Sequence, residues 1–395
     1  MATRQANSHK KQVSKKRAPR KLKVFEAFSG IGAQNSALER LGINYEIVGT
    51  SDWFVSAIIC YDAIHCSQLP AVNLPPYKEQ LEYLEKFQFS IDSVKPIKSL
   101  KMLKPAELAM LYQAHIRTKN MGSITQLTGR AMPKTDLLVY SFPCQDLSTG
   151  GLSLGMSKGS GTRSCLIWEL ERILMELNAL RKLPKYLLME NVKAVLADAN
   201  KTDLKLWLDF LESLGYKNDP AMTLDASDFG VPQDRQRTFI VSHLKKTLNV
   251  EKRLRKREKK FEITQFLRFD YRNSVFKAEA DSAKLNMTPS REVMWKKNGR
   301  EPVDNNTMIH TITCNMDRTN TAALFRYEGS CRRLTIREAF LLMGFSESEY
   351  ERTVSLGFSY RRMNKLIGNA IVVNVLTEIF RVMFGKKYMK KGEDE

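Results

Sequence analysis

Three short stretches carry side chains that could do chemistry. A cysteine follows a proline in "YSFPCQDLSTGG" (140–151), a glutamate sits within "YLLMENV" (186–192), and two arginines stand two apart in "VPQDRQRTFIV" (231–241). Cys144 offers a thiol, which as thiolate is a strong nucleophile. Glu190 follows an apolar run, so partial burial would raise its pKa enough to hold or donate a proton. Arg235 and Arg237 would face one side of an extended chain, and two guanidiniums suit a phosphate or a base carbonyl. Each has a plainer reading on its own: a buried structural thiol, an exposed acid, a salt-bridged strand edge.

The glycine-rich chain after Cys144 favours the nucleophile. Gly150, Gly151, Gly155, Gly159 and Gly161 fall within twelve residues. Such a segment packs poorly as a regular element and reads as a flap over the thiol. Near the N-terminus, "FSGIG" (28–32) places Gly30 and Gly32 straight after an apolar run. Glycine permits a tight turn and a close ligand approach, although the full GxGxxG spacing is missing. Asp52, ending a second apolar run, could bind ribose hydroxyls, as an acid does in nucleotide-binding folds. A plain βα turn remains open for the glycines.

These residues need a scaffold, and the surrounding pattern supplies one. Apolar runs at 22–28, 45–53, 135–142, 184–190 and 237–244 read as strands. Helical spacing over 33–41, from the second strand to about 65, over 164–177 and over 204–215 fills the gaps. Strands alternating with helices predict an α/β fold, a doubly wound and mostly parallel sheet with helices on both faces. Ligands gather beyond the carboxyl ends of such strands, and the Gly30–Gly32 turn, Cys144 and Glu190 all lie there. An irregular, charged insertion occupies 67–133, with short helical pieces at 79–87 and 106–116. From 245 to about 330 the pattern is again irregular and begins densely basic, which marks a second domain. The α/β pattern returns at 334–345 and in a long apolar helix after the Gly-Asn turn within 364–384, so residues 331–385 rejoin the first domain, 21–244.

The chain has 395 residues and a formal net charge of +20. That excess argues for a polyanionic partner, nucleic acid first. Part of it lies in a basic tail, 1–20, expected to be disordered, and in a charged tail, 386–395. The N-terminal tail lacks the apolar region of a secretory signal. No apolar run comes near the ~18 residues that span a bilayer, so the reading is a cytoplasmic protein with no membrane partner. The six cysteines form no CxxC pair and the five histidines no HxxxH or HxH cluster, so neither disulfides nor a metal is expected.

Taken in order, "FEAFSGIGAQ", "DW", "SFPCQDLS", "LIWELERIL", "LLMENV", "FGVPQDRQRTFIV", "RRLTIREAFLLMGF" and "GNAIVVNVL" resemble the ordered blocks of the C5-cytosine DNA methyltransferase family, over nearly all of 22–384. The wording is most similar to the bacterial restriction-modification, phage or solitary type. The resemblance implies a class I S-adenosylmethionine-dependent methyltransferase sheet with a smaller target-recognition domain at 245–330. It implies that Cys144 attacks C6 of a cytosine flipped out of double-stranded DNA, that Glu190 contacts N3 and the exocyclic amine, and that Arg237, with Arg235 beside it, contacts O2. S-adenosylmethionine would supply the methyl group, with no metal. Phe28, Gly30, Ile31, Gly32, Asp52, Trp53, Ser123, Ile124, Pro143, Leu166 and Asn369 fall on the family's cofactor positions. Ser123 stands where the family often has an acid against the adenine amine, and the family's Thr-Leu signature reads Thr311-Ile312. A monomer is expected, and a cognate restriction endonuclease is a further partner the resemblance allows. Two other readings compete: an RNA cytosine methyltransferase on the same scaffold, and a non-catalytic DNA-binding relative, which would be expected to lack Cys144 or Glu190.

Overall fold

The computed structural model describes residues 20–144, 147, 155–259, 261–297, 308–316, 322–385 and 388. The expected basic tail up to residue 19, most of the flap directly after Cys144, and nearly all of the charged end lie outside these residues.

Seven strands form the main sheet: β1 (Leu22–Ala27), β2 (Tyr45–Ser51), β3 (Leu137–Tyr140), β4 (Tyr186–Val192), β5 (Tyr216–Asn218), β6 (Met222–Asp225) and β7 (Gln236–Leu244). Their order is β2-β1-β3-β4-β7, with β5 and β6 following one another along the far edge of β7. The first four are parallel. β7 is the exception and runs antiparallel to β4. The alternating sequence pattern does not show this reversal, because β5 and β6 are only three and four residues long and lack the apolar run that announces a strand.

Side chains alternate across the sheet. Leu22, Val24, Leu137, Val139 and Leu188 join one core, and Phe25, Leu138, Tyr140, Leu187 and Met189 join the other. Strands buried on both faces read as continuous apolar runs, which is why "LLVY" is wholly buried. Helices Ala33–Arg40 and Val373–Phe384 pack side by side on the first face. Helices Ile167–Ala179 and Asp198–Ser213 cover the second. The latter begins six residues before the expected 204, because its first turns are polar.

One acid lies within this core. Glu26, on β1, is fully buried, and neither carboxylate oxygen has a hydrogen-bond partner of good geometry among the described residues. Burial pushes its carboxyl up to about 8, tempered by the nearby Tyr61 hydroxyl and Asn35 amide.

The insertion is built into the sheet. Helices Tyr77–Leu84 and Pro105–Arg117 pack with Phe89 and Leu100 around Val55, Ile58 and Ile59 of helix Val55–His65. The chain then runs along the outer edge of β2, where Thr50 N donates to Lys119 O (3.3 Å) and Met121 N to Thr50 O (2.9 Å).

After β7, residues such as Val250, Ile263, Ile309, Ile312 and Phe325 feed the same core as the C-terminal helices. Leu285, Trp295 and Leu324 form a small satellite. The stretch Tyr360–Phe384 is long and apolar enough to cross a membrane, contrary to the sequence reading. It is two helices, Tyr360–Gly368 and Val373–Phe384, and 72% of its apolar window is buried inside the protein.

Candidate active site

The strands deliver their carboxyl ends to one cleft. β1 leaves the sheet through Phe28, Gly30 and Gly32, all with left-handed φ (55°, 55° and 79°). Such a conformation is strained for Phe28 and ordinary for glycine. A Cβ on Gly30 would meet nothing within 4 Å, whereas one on Gly32 would lie 2.3 Å from His65 Nε2. Gly32 therefore lets helix Val55–His65 close against the turn, and His65 Nε2 lies 2.9 Å from the Ile31 carbonyl, within hydrogen-bond reach. Asp52, just past β2, holds the turn from the other side. One oxygen accepts from Gly30 N (2.9 Å) and the other from Phe54 N (2.8 Å). Burial pushes its carboxyl up to about 6 against these bonds.

β3 ends at Tyr140 and passes through Ser141, Phe142 and Pro143 to Cys144. The loop is pinned twice: Asn191 Nδ2 donates to Phe142 O (3.0 Å) and Ser164 Oγ to Pro143 O (2.7 Å). Glu190 is in β4 and Arg237 opens the antiparallel β7, where Val192 pairs with Arg237. This reversal brings the guanidinium back to the acid, with Arg237 Nε 3.6 Å from Glu190 Oε1. Burial pushes the Glu190 carboxyl up, and Arg237 and Arg235 oppose it. The Cys144 thiol is also pushed up by burial, with Arg237 and Arg235 pulling it down and Glu190 adding to the rise. A carboxyl that tends to keep its proton therefore lies beside a thiol whose ionisation depends on two guanidiniums.

Arg235 does a different job from Arg237. It is buried, and it donates to Ile312 O (2.7 Å), Gly368 O (3.0 Å) and Ala370 O (2.8 Å). Burial lowers its pKa to about 9. Gln233 works beside it, donating to Leu342 O and accepting from Ile312 N. Asp234 N donates to Ile309 O (2.8 Å). Residues 309–314 are thus gripped between 232–235 and the turn at 368–370. A Cβ on Gly368 would lie 2.5 Å from Thr313 C, so glycine is what lets the two backbones touch. Thr311 Oγ1 donates to Asp234 O, and Ile312 is buried.

Eleven of the fifteen site residues expected from sequence line this one cleft: Cys144, Glu190, Arg235, Arg237, Phe28, Gly30, Ile31, Asp52, Trp53, Pro143 and Asn369. The other four do not line it. Gly32 packs against His65. Ser123 is buried beside β2 with its hydroxyl on Thr125 Oγ1 (2.9 Å), and Ile124 and Leu166 belong to the second core. The lining residues that sequence reasoning did not name include Phe54, Ser93, Leu366 and Ala370. Phe54, Leu366 and Ala370 adjoin or lie near expected positions, but no motif singles out Ser93.

A family model described as C-5 cytosine-specific DNA methylase matches residues 99–385. The chain belongs to this family. The methylase is 35% identical over 374 residues to the orphan methyltransferase M.SssI of Spiroplasma monobiae, covering 91% of this chain and 96% of that one. It is 32% identical over 383 residues to the type II methyltransferase M2.ScrFI of Lactococcus lactis subsp. cremoris, covering 92% and 99%. These relatives and the family model make it a DNA cytosine-5 methyltransferase. Its fold is shared with the S. pombe Dnmt2 methyltransferase (TM-score 0.62, 19% identity, 92% and 98% covered). It is shared as well with a putative DNA modification methyltransferase encoded within an E. coli prophage (TM-score 0.54, 15% identity, 92% and 98% covered). Among the described residues, no group of three or more His, Cys, Asp or Glu is placed to hold a metal ion.

Proposed function

We propose that this cleft methylates C5 of a cytosine swung out of duplex DNA, with S-adenosylmethionine as donor and a transient bond from Cys144 Sγ to ring C6. The observation that carries the reading is the shared cavity that holds Cys144, the Glu190–Arg237 pair and the turn after β1.

The residues fit the donor. The left-handed turn at Gly30 leaves open space for a ligand at the backbone, and the aromatic side chains of Phe28 and Trp53 belong to the lining of the same cavity. When bound, S-adenosylmethionine supplies an electrophilic methyl group. Carbon C5 of cytosine is a poor nucleophile, and the protein's task is to make it a better one. The Cys144 thiol passes its proton to water, the nearby guanidiniums favouring the thiolate, and the Sγ–C6 bond forms. Glu190, holding its proton, donates to ring N3 as electron density moves there, and Arg237 offers hydrogen bonds to O2. C5 is then enamine-like. After methyl transfer, Glu190 takes its proton back from N3, and loss of the C5 proton to water breaks the Sγ–C6 bond and returns Cys144 as thiolate. A base paired in a duplex cannot enter such a cleft, so it must be extruded at a cost of a few kcal/mol. The net charge of +20 favours the phosphates. We assign target reading to residues 245–330.

Duplex DNA carrying 5-fluorocytosine tests this, because fluorine cannot leave as the C5 proton does. With S-adenosylmethionine present, a denaturation-resistant adduct should form on the Cys144 peptide. Cys144→Ala should bind the duplex and form none. An adduct elsewhere, or methylation by Cys144→Ala, overturns the mechanism.

A further inference from the structure

The insertion sends one residue into the cleft. Ser93 lines the cavity together with Trp53, Phe54 and Leu366. Its hydroxyl is buried and has no hydrogen-bond partner among the described residues. Leaving a buried hydroxyl unbonded is unfavourable, and such an exception calls for an explanation.

The surrounding backbone holds Ser93 in place. Ser90 N donates to Trp53 O (2.7 Å) and Val55 N to Ser90 O (2.9 Å), which fixes this segment to the residues just after Asp52. Asp92 Oδ1 accepts from Val94 N (2.8 Å) and Lys95 N (3.0 Å). Lys365 Nζ donates to Asp92 O from helix Tyr360–Gly368. Ser93 itself has a left-handed φ of 57°. The bond to Asp92 O holds the Lys365 ammonium next to Ser93, and the Asp92 carboxylate that also acts on it is itself tied to backbone N–H groups.

We propose that Ser93 is a binding residue for the methyl donor and donates its hydroxyl hydrogen to the donor's α-carboxylate. This rests on the methyl-donor reading above. The donor offers an adenine, a ribose diol, a sulfonium, an ammonium and one carboxylate. A hydroxyl donor beside the Lys365 ammonium matches the carboxylate, whereas the acidic Asp52 side matches groups that donate. The insertion thereby completes the cofactor site.

Calorimetric titration of the full chain with S-adenosylhomocysteine and with 5′-methylthioadenosine, which lacks the amino-acid tail, tests the proposal. Ser93→Gly is the informative variant, because glycine accepts the left-handed φ without strain and only the hydroxyl is lost. It should bind S-adenosylhomocysteine about ten-fold more weakly, the loss of one hydrogen bond to a charged group. Its affinity for 5′-methylthioadenosine and its melting temperature without ligand should not fall. Ser93→Ala should show the same split between ligands. Unchanged affinity for S-adenosylhomocysteine, or equal weakening of both ligands, overturns the carboxylate assignment. A wild-type chain that binds neither ligand overturns the methyl-donor reading, and this inference with it.

Discussion

Glu26→Gln should stabilise the protein, by an amount that grows with pH. Glu26 is fully buried in β1, and its carboxyl is pushed up to about 8 from an ordinary 4.5. The folded state therefore keeps a proton that the unfolded chain releases from about pH 4.5 upward. An acid with a raised folded pKa costs stability progressively between its two pKa values. Linkage gives a cost of about 1 kcal/mol at pH 5.5 and about 3 kcal/mol at pH 7. Glutamine never ionises, so the advantage of the variant should widen by about 2 kcal/mol across that interval. At the usual unfolding entropy per residue, a chain of this length moves its midpoint by about 2–3 °C for that difference. Thermal unfolding of both proteins at pH 5.5, 6.25 and 7 reads it directly. A gap in melting temperature that stays constant with pH, or narrows as pH rises, refutes the reasoning even if the variant is stabilised overall.

Glu190→Gln should slow methyl transfer by about 10²–10⁴-fold, the usual worth of a positioned proton donor. It should also abolish the decline in rate at high pH, because the raised Glu190 carboxyl loses its proton there and an amide does not; an alkaline limb that survives in single-turnover rates contradicts the assigned role. Gly368→Ala would drive a Cβ into the backbone at Thr313 and Cys314. It should cost about 1–3 kcal/mol, seen as a lower melting temperature together with faster amide exchange over 309–314, and unchanged exchange there would show that the contact is dispensable.

Much of the site was legible because it lies where strands end. Apolar runs mark β1, β3 and β4, and residues at or just past their carboxyl ends, Glu190, Gly30 and Cys144, line the cleft for that reason. Arg237 was legible as a cation near a strand. That it meets Glu190 depends on the reversal of β7, which no local pattern announces. Arg235 looks identical to its neighbour in sequence. Its carbonyl partners, Ile312, Gly368 and Ala370, come from segments 77 to 135 residues away, so its structural duty emerges only from the tertiary fold. Ser93 is the extreme case. It sits in an irregular insertion, and only pairing with Trp53 and Val55 brings it to the cavity. The break between the last two helices was half legible: the Gly-Asn turn was visible, but not the helix Tyr360–Gly368 before it.

If residues 245–330 read the target as proposed, the grip on residues 309–314 bears on how this enzyme could be re-targeted. Gln233 and Arg235 on one side and the 368–370 turn on the other act like two halves of a socket moulded around that backbone. A cassette exchanged at 245 and 330 alone would seat a foreign plug in the native socket. Exchange boundaries placed outside 231 and 370 would move plug and socket together.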